Sequence, residues 1–172
     1  MTQDAPTFDA RQLRDALGRF VTGVTVVTTR DAQGRPHGVT ANSFASVSLD
    51  PPLVLWCQAL NARSYPAYRD SPYFAVNILA EHQVDLSGRF ARSGEDKFAD
   101  LTCDSGLGEV PILPEVVAHL ECRKVDSHVA GDHIIYIGQV QRLALSEGRP
   151  LVFSGGRYMQ AAPHPGQTAG GR

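Results

Sequence analysis

The chain has 172 residues, 42% of them hydrophobic and 20% charged, with 16 Lys and Arg against 18 Asp and Glu. That length and apolar content suit a single domain around one core, and a net charge of −2 leaves no footprint for nucleic acid or an anionic membrane. No apolar run approaches the roughly 18–20 residues that span a bilayer, and three cysteines are too few for a disulfide framework.

Residues 1–6 read as a flexible leader that lacks the basic and apolar regions of a secretory signal, which points to the cytoplasm. Over residues 7–20, Phe8, Leu13, Ala16, Leu17 and Phe20 recur at helical spacing, behind Thr7 or Asp9 as a possible N-cap. Val24 to Thr29 form a β-branched strand, and Asp31-Ala32-Gln33-Gly34 is a turn. Residues 38–49 then return as an extended strand, which Pro51-Pro52 interrupts before a second strand over residues 53–57. A short helix or turn follows over residues 64–69, a strand over 73–79 and a helix over 81–90. Residues 91–113 are a long irregular stretch, a length that in a small domain is often functional. The longest strands span residues 116–126 and 133–145, joined near Ala130-Gly131-Asp132, and residues 151–153 make the last one. The folded unit is therefore expected over residues 7–160, with residues 161–172, rich in Pro, Gly and Ala, as a disordered tail. Short strands at hairpin spacing make the fold class mainly β, an antiparallel barrel with flanking short helices rather than a set of βαβ units.

The segment Gly38-Val39-Thr40-Ala41-Asn42-Ser43-Phe44-Ala45-Ser46-Val47-Ser48-Leu49 carries the most chemistry. Along one continuous strand, Thr40, Asn42, Ser46 and Ser48 share a face with Phe44, while Val39, Ala41, Ala45, Val47 and Leu49 share the other. Such a face either meets solvent or offers neutral donors and acceptors to a flat, partly polar ligand carrying a phosphate. No phosphate loop of the Gly-x-x-x-x-Gly-Lys type occurs. Gly106-Leu107-Gly108 opens like a dinucleotide fingerprint, but Pro111 stands in the place of the third glycine. His119 and Cys122 have opposite strand parity and no Cys-x-x-Cys pair supports them, so no metal is expected. Phe153-Ser154-Gly155-Gly156 is not a nucleophile elbow.

Phe20-Val21-Thr22-Gly23-Val24-Thr25-Val26-Val27-Thr28, then Gly38 to Phe44 running into Ser46-Val47-Ser48-Leu49-Asp50-Pro51-Pro52, resemble the flavin reductase-like family. Phe74 to Leu79, Gly131-Asp132-His133-Ile134-Ile135-Tyr136-Ile137-Gly138 and Pro150-Leu151-Val152-Phe153 extend the resemblance, in family order, from about Leu13 to Tyr158. The resemblance implies an FMN-binding split β-barrel, usually a homodimer. It also implies reduction of FMN or FAD by NADH or NADPH for a separate flavin-dependent oxygenase component. The chemistry agrees with the residues, because hydride transfer between cofactors needs no strong protein acid or base, and no catalytic side chain is expected.

By the same resemblance, Val39, Thr40, Ala41, Asn42 and Ser43 lie along the flavin ring edge, and Ser46 and Ser48 lie nearer the ribityl-phosphate. Asn61, Ala62, Arg63 and Ser64 lead into a helix, and Arg63 with nearby amides could hold phosphate; the alternative is a solvated turn. Arg89 and Phe90 match a position near the flavin, or simply end a helix. His133, with Arg157 and Tyr158, falls where the family binds the nicotinamide nucleotide. Trp56 reads as core. A flavin- or haem-binding split-barrel module without turnover is the alternative reading. A pyridoxamine-phosphate-oxidase-like enzyme is a third, and should need a stronger basic phosphate cluster than Arg63 and Arg89 supply.

Overall fold

In a computed structural model, residues 7–94 and 96–166 are described; residues 1–6 and the second half of the expected disordered tail, 167–172, lie outside them. Asp9 caps the first helix, α1 (Ala10–Leu17), by accepting from the Arg11 and Gln12 amides at 2.8 Å each, while the Gln12 side chain returns to the Asp9 amide. The helix is shorter than its apolar periodicity suggested, and none of its residues is buried.

A short strand β1 (Thr22–Gly23) leads into β2 (Thr25–Arg30), which the Asp31 to Gly34 turn returns as β3 (Pro36–Ala41). The chain continues as β4 (Ala45–Leu49), β5 (Pro52–Ala59), α2 (Tyr65–Asp70), β6 (Tyr73–Ile78) and α3 (Val84–Ala91). After the long loop, whose described residues form β7 (Asp104–Ser105), a 3₁₀ turn and β8 (Pro111–Ile112), come the paired strands β9 (Ala118–Ala130) and β10 (His133–Leu145). Two residues, Gly131 and Asp132, join them, and Gly131 takes the positive φ of 63° that such a tight turn demands. Strands β11 (Leu151–Ser154) and β12 (Arg157–Gln160) close the fold; β12 has no counterpart in the sequence reading.

Seven strands form one antiparallel sheet in the order β3-β2-β6-β9-β10-β5-β4. Its two edges are consecutive in the chain. The expected single strand over residues 38–49 is therefore two strands: β3 pairs with β2, and β4 pairs with β5 at the opposite edge. A register shift between Ser46 and Ser48 further breaks the expected alternation on β4. Residues 42–44 cross the seam between the edges. No ladder closes that seam; the Ser43 hydroxyl accepts from the Cys57 amide at 2.9 Å and donates to the Cys57 carbonyl at 3.1 Å.

The curled sheet buries one cluster inside, with Trp56, Tyr68, Phe74 and Tyr136 packed ring against ring at centroid distances of 5.0–6.4 Å. Trp56 is core, as expected. Tyr68 of α2 plugs the barrel and donates to the Val27 carbonyl at 2.6 Å. A second cluster lies on the outer face, where Val24, Val26 and Leu79 meet Phe90 of α3 together with Leu113 and Val116. Strand β2 is buried on both faces, which explains its unbroken β-branched run. Asn77, fully buried, fastens the long loop to the sheet: it donates to the Val26 carbonyl and Thr28 hydroxyl and accepts from the Leu113 amide at 2.9 Å.

Candidate functional site

Where β3 leaves its turn, Gly38 has no side chain to separate the strand from α3. A Cβ there would stand 2.4 Å from the Phe90 ring. The close approach lets Thr40 donate to the Ser87 carbonyl at 2.7 Å and lets Lys97 bridge the two elements. The Lys97 ammonium donates to the Phe90 carbonyl at 2.8 Å and the Gly38 carbonyl at 3.2 Å, and burial lowers its pKa.

Beside this junction lies a cleft of about 560 Å³, a size typical of small-molecule sites. The start of β3, the turn before α2 and the end of α3 with its following segment supply its walls. Val39, Ala62, Phe90 and Phe98 give an apolar side. Arg35, Arg63, Arg92 and Lys97 face it with charge, against the single lining carboxylate of Asp96 among the described residues. In a chain of net charge −2 this local cation excess favours an anionic ligand with an apolar body. A second cleft, of about 600 Å³, adjoins the first across the segment after α3 and includes Arg89 and Tyr158.

The structure thus gathers Val39, Ala62, Arg63, Ser64 and Phe90 at one cleft, and Arg89 and Tyr158 at its neighbour. Several hydroxyls already have partners: Thr40 on α3, Ser43 on β5, and Ser64, which accepts from the Gln58 amide at 3.0 Å. Tyr158 meets the Ser87 hydroxyl at 2.9 Å, so β3, α3 and β12 are linked through Ser87. Arg89 donates to the Ala99 carbonyl at 2.9 Å and so also holds the long loop. Helix α2 has six residues, too short for a strong dipole, which leaves the Arg63 guanidinium as the positive charge on that wall.

The remaining expected residues line neither cleft. Ala41 ends β3, Asn42 lies at the seam, and Ser46 and Ser48 sit on β4. Arg157 opens β12 after the Gly155-Gly156 turn. His133 opens β10 opposite Ala59, and the Asp132 carbonyl accepts from the Leu60 amide, which puts the histidine beside the turn that carries Asn61. Its Nδ1 lies 2.7 Å from the Asp132 carboxylate, whose pKa is lowered mainly by that hydrogen bond.

Sequence reasoning missed Arg35, His37, Arg92 and Lys97. The first two flank Pro36 just before Gly38 and were legible as basic residues entering the motif, whereas Arg92 and Lys97 in an irregular stretch gave no signal. The cleft's chemistry fits a flavin: neutral and cationic donors over apolar walls, with cations outnumbering carboxylates among the described lining residues.

The flavin reductase like domain family matches residues 17–162. The FMN reductase (NADH) SmoA of Agrobacterium fabrum is 48% identical over 150 residues, covering 87% of this chain and 85% of that protein. A probable flavin reductase of Rhizobium meliloti is 49% identical over 154 residues, but this chain spans only 50% of its length. Among solved structures, the NADH:FAD oxidoreductase of Streptomyces globisporus, in complex with NAD and FAD fragments, superposes with a TM-score of 0.85 at 38% identity, covering 94% of this chain and 99% of that one. Sequence match and shared architecture agree, and the chain belongs to the flavin reductase like family.

Proposed function

We propose that the chain is an NADH- or NADPH-dependent flavin reductase that reduces FMN or FAD and hands the product to a separate oxygenase. The observation that carries this reading is the single cleft at which Val39, Ala62, Arg63 and Phe90 meet under an excess of cations. Relatives support the partner: a reductase subunit of a flavin-dependent monooxygenase from Rhodococcus jostii is 43% identical over 161 residues. The flavin and nicotinamide supply the hydride chemistry between them, oxidising the nucleotide and reducing the flavin ring, with water as the source of the remaining proton.

The chain's own task is positioning. Arg63 and its cationic neighbours hold the phosphate, Val39 and Phe90 pack the apolar ring, and main-chain groups of Thr40, Ala41, Asn42 and Ser43 meet its polar edge. Ser64 lines the cleft on the ribityl side; Ser46, Ser48 and Asn61 lie outside its lining, and the family resemblance alone supports them there. His133, Arg157 and Tyr158 orient the nucleotide. Large apolar side chains left on the surface, including Leu17 at 64% and Phe20 at 76% exposure, support a homodimer. Among the described residues no helix is long and apolar enough to cross a membrane.

The test is NADH and NADPH oxidation by purified protein with and without FMN or FAD. Flavin-dependent oxidation is expected. A protein that binds flavin tightly yet leaves it unbleached by either nucleotide under anaerobic conditions is a carrier, and the proposal is then wrong. Light scattering on the same sample tests the dimer.

A further inference from the structure

The Asp31 carboxylate does not line the first cleft itself but stands behind two residues that do, Arg35 and His37. Its side chain is only 10% exposed and accepts from the Gln33 amide at 3.0 Å and the Arg35 amide at 2.9 Å. It also accepts from Arg35 Nε at 2.8 Å and lies 3.0 Å from His37 Nε2. Bonding to His37 first, and then to Arg35 and Gln33, holds its pKa well below the usual carboxylate range, so it stays an acceptor-only anion. These contacts fix the turn between β2 and β3 and pin both basic residues at the point where the chain enters the cleft.

Among the described residues Arg35 is held by its Nε alone, while its side chain remains 72% exposed and lines the cleft. Its two terminal amino groups therefore remain as a planar fork of donors, suited to the oxygens of a phosphate. Arg63 lines the same cleft from the turn before α2.

We propose that Arg35, positioned by Asp31, contacts the phosphate of the bound flavin and makes the site select phosphorylated flavin over riboflavin. This rests on the reading that the cleft holds flavin. Asp31 is a positioning residue: it reaches the ligand only through the guanidinium that it aims. The chemistry is that of a phosphate ester on an aromatic ligand, and the same fork would also accept the pyrophosphate of a dinucleotide.

The test is equilibrium binding, read by quenching of flavin fluorescence, for riboflavin, FMN and FAD, with ADP-ribose titrated by calorimetry as the nucleotide arm. Arg35→Ala should raise the Kd for FMN about ten- to a hundredfold, the loss of a charge-assisted hydrogen bond, and change that for riboflavin less than about twofold. Arg35→Lys should recover part of the loss. Asp31→Asn keeps a side-chain acceptor for the turn amides but loses the charge that orients Arg35, so it should weaken FMN selectively and by less than Arg35→Ala. Equal losses for FMN and riboflavin, or an unchanged FMN Kd, overturn the proposal. So does a loss confined to ADP-ribose, which would assign Arg35 to the nicotinamide nucleotide. If the wild-type protein binds neither FMN nor riboflavin, the flavin reading itself fails, a result distinct from loss of selectivity.

Discussion

Replacing Gly38 by alanine tests the junction on which the cleft is built. The added Cβ would lie 2.4 and 2.5 Å from two Phe90 ring carbons and 3.2 Å from the Phe98 ring, where ordinary contact begins at 3.4 Å. Phe90 must therefore withdraw by about 1 Å, yet it is fully buried and packs edge-on against Phe98 at 5.0 Å. Overpacking of this kind costs about 1–3 kcal/mol, and in a chain of this size each kcal/mol lowers Tm by about 2–4 °C. Gly38→Ala should thus melt about 2–12 °C below the wild type. It should also bind flavin more weakly, since Gly38, Phe90 and Lys97 share one wall. Adding Phe90→Leu removes the colliding ring atoms, so the double variant should lose less stability than the sum of the two single losses, by at least about 0.5 kcal/mol. Thermal melts of the four proteins complete the cycle. An unshifted Tm for Gly38→Ala, or strict additivity, would show that strand and helix are not in the contact described.

Three other outcomes follow from buried or half-buried groups. Ser43→Ala leaves both main-chain groups of Cys57 without their seam partner and should cost about 1–3 kcal/mol in urea unfolding at unchanged m, with faster hydrogen exchange at the Cys57 amide; a silent variant would refute the seam's dependence on that hydroxyl. Asn77→Asp replaces two donated bonds by a buried carboxylate and should lose about 3–5 kcal/mol, visible as a large drop in Tm. Burial pushes the Cys122 thiol up to about 12, whereas the unfolded chain ionises near its ordinary value of 9.0. Stability is therefore complete below about pH 9 and is lost as pH rises towards the folded value. Cys122→Ala should flatten the fall in Tm between about pH 8.5 and 10, before the buried tyrosines, also raised, begin to contribute. An identical slope in both proteins would place the alkaline sensitivity elsewhere.

Most strands were legible because a strand buried on one or both faces has little compositional freedom. The run Thr25 to Thr29 and the alternation on β5 follow directly from burial. Strand β12 was not legible: Arg157, Tyr158, Met159 and Gln160 are all exposed, so burial imposes no period. The division of residues 38–49 was hidden for another reason. Side-chain alternation reports which face a residue occupies, not which neighbour the strand pairs with, and the chain changes partner there without a glycine or proline. Of the candidate site, the motif residues of β3 and the turn before α2 were readable. The cations were not readable as a set, because Arg35, Arg63, Arg92 and Lys97 meet only through the fold.

Residues 42–44 set a limit on the whole sheet. Four steps of extended chain separate Ala41 from Ala45 and reach at most about 14 Å. Seven strands laid flat at about 4.8 Å spacing would hold their outer members about 29 Å apart. The tether is about half that width, so the sheet has to roll up for the chain to exist in this order at all. The perimeter is thus fixed by covalent reach rather than by edge pairing, and the cleft-bearing strand β3 is kept beside β5 by arithmetic of length. A loop lengthened by four or five residues at this point would release the curvature while leaving every ladder intact.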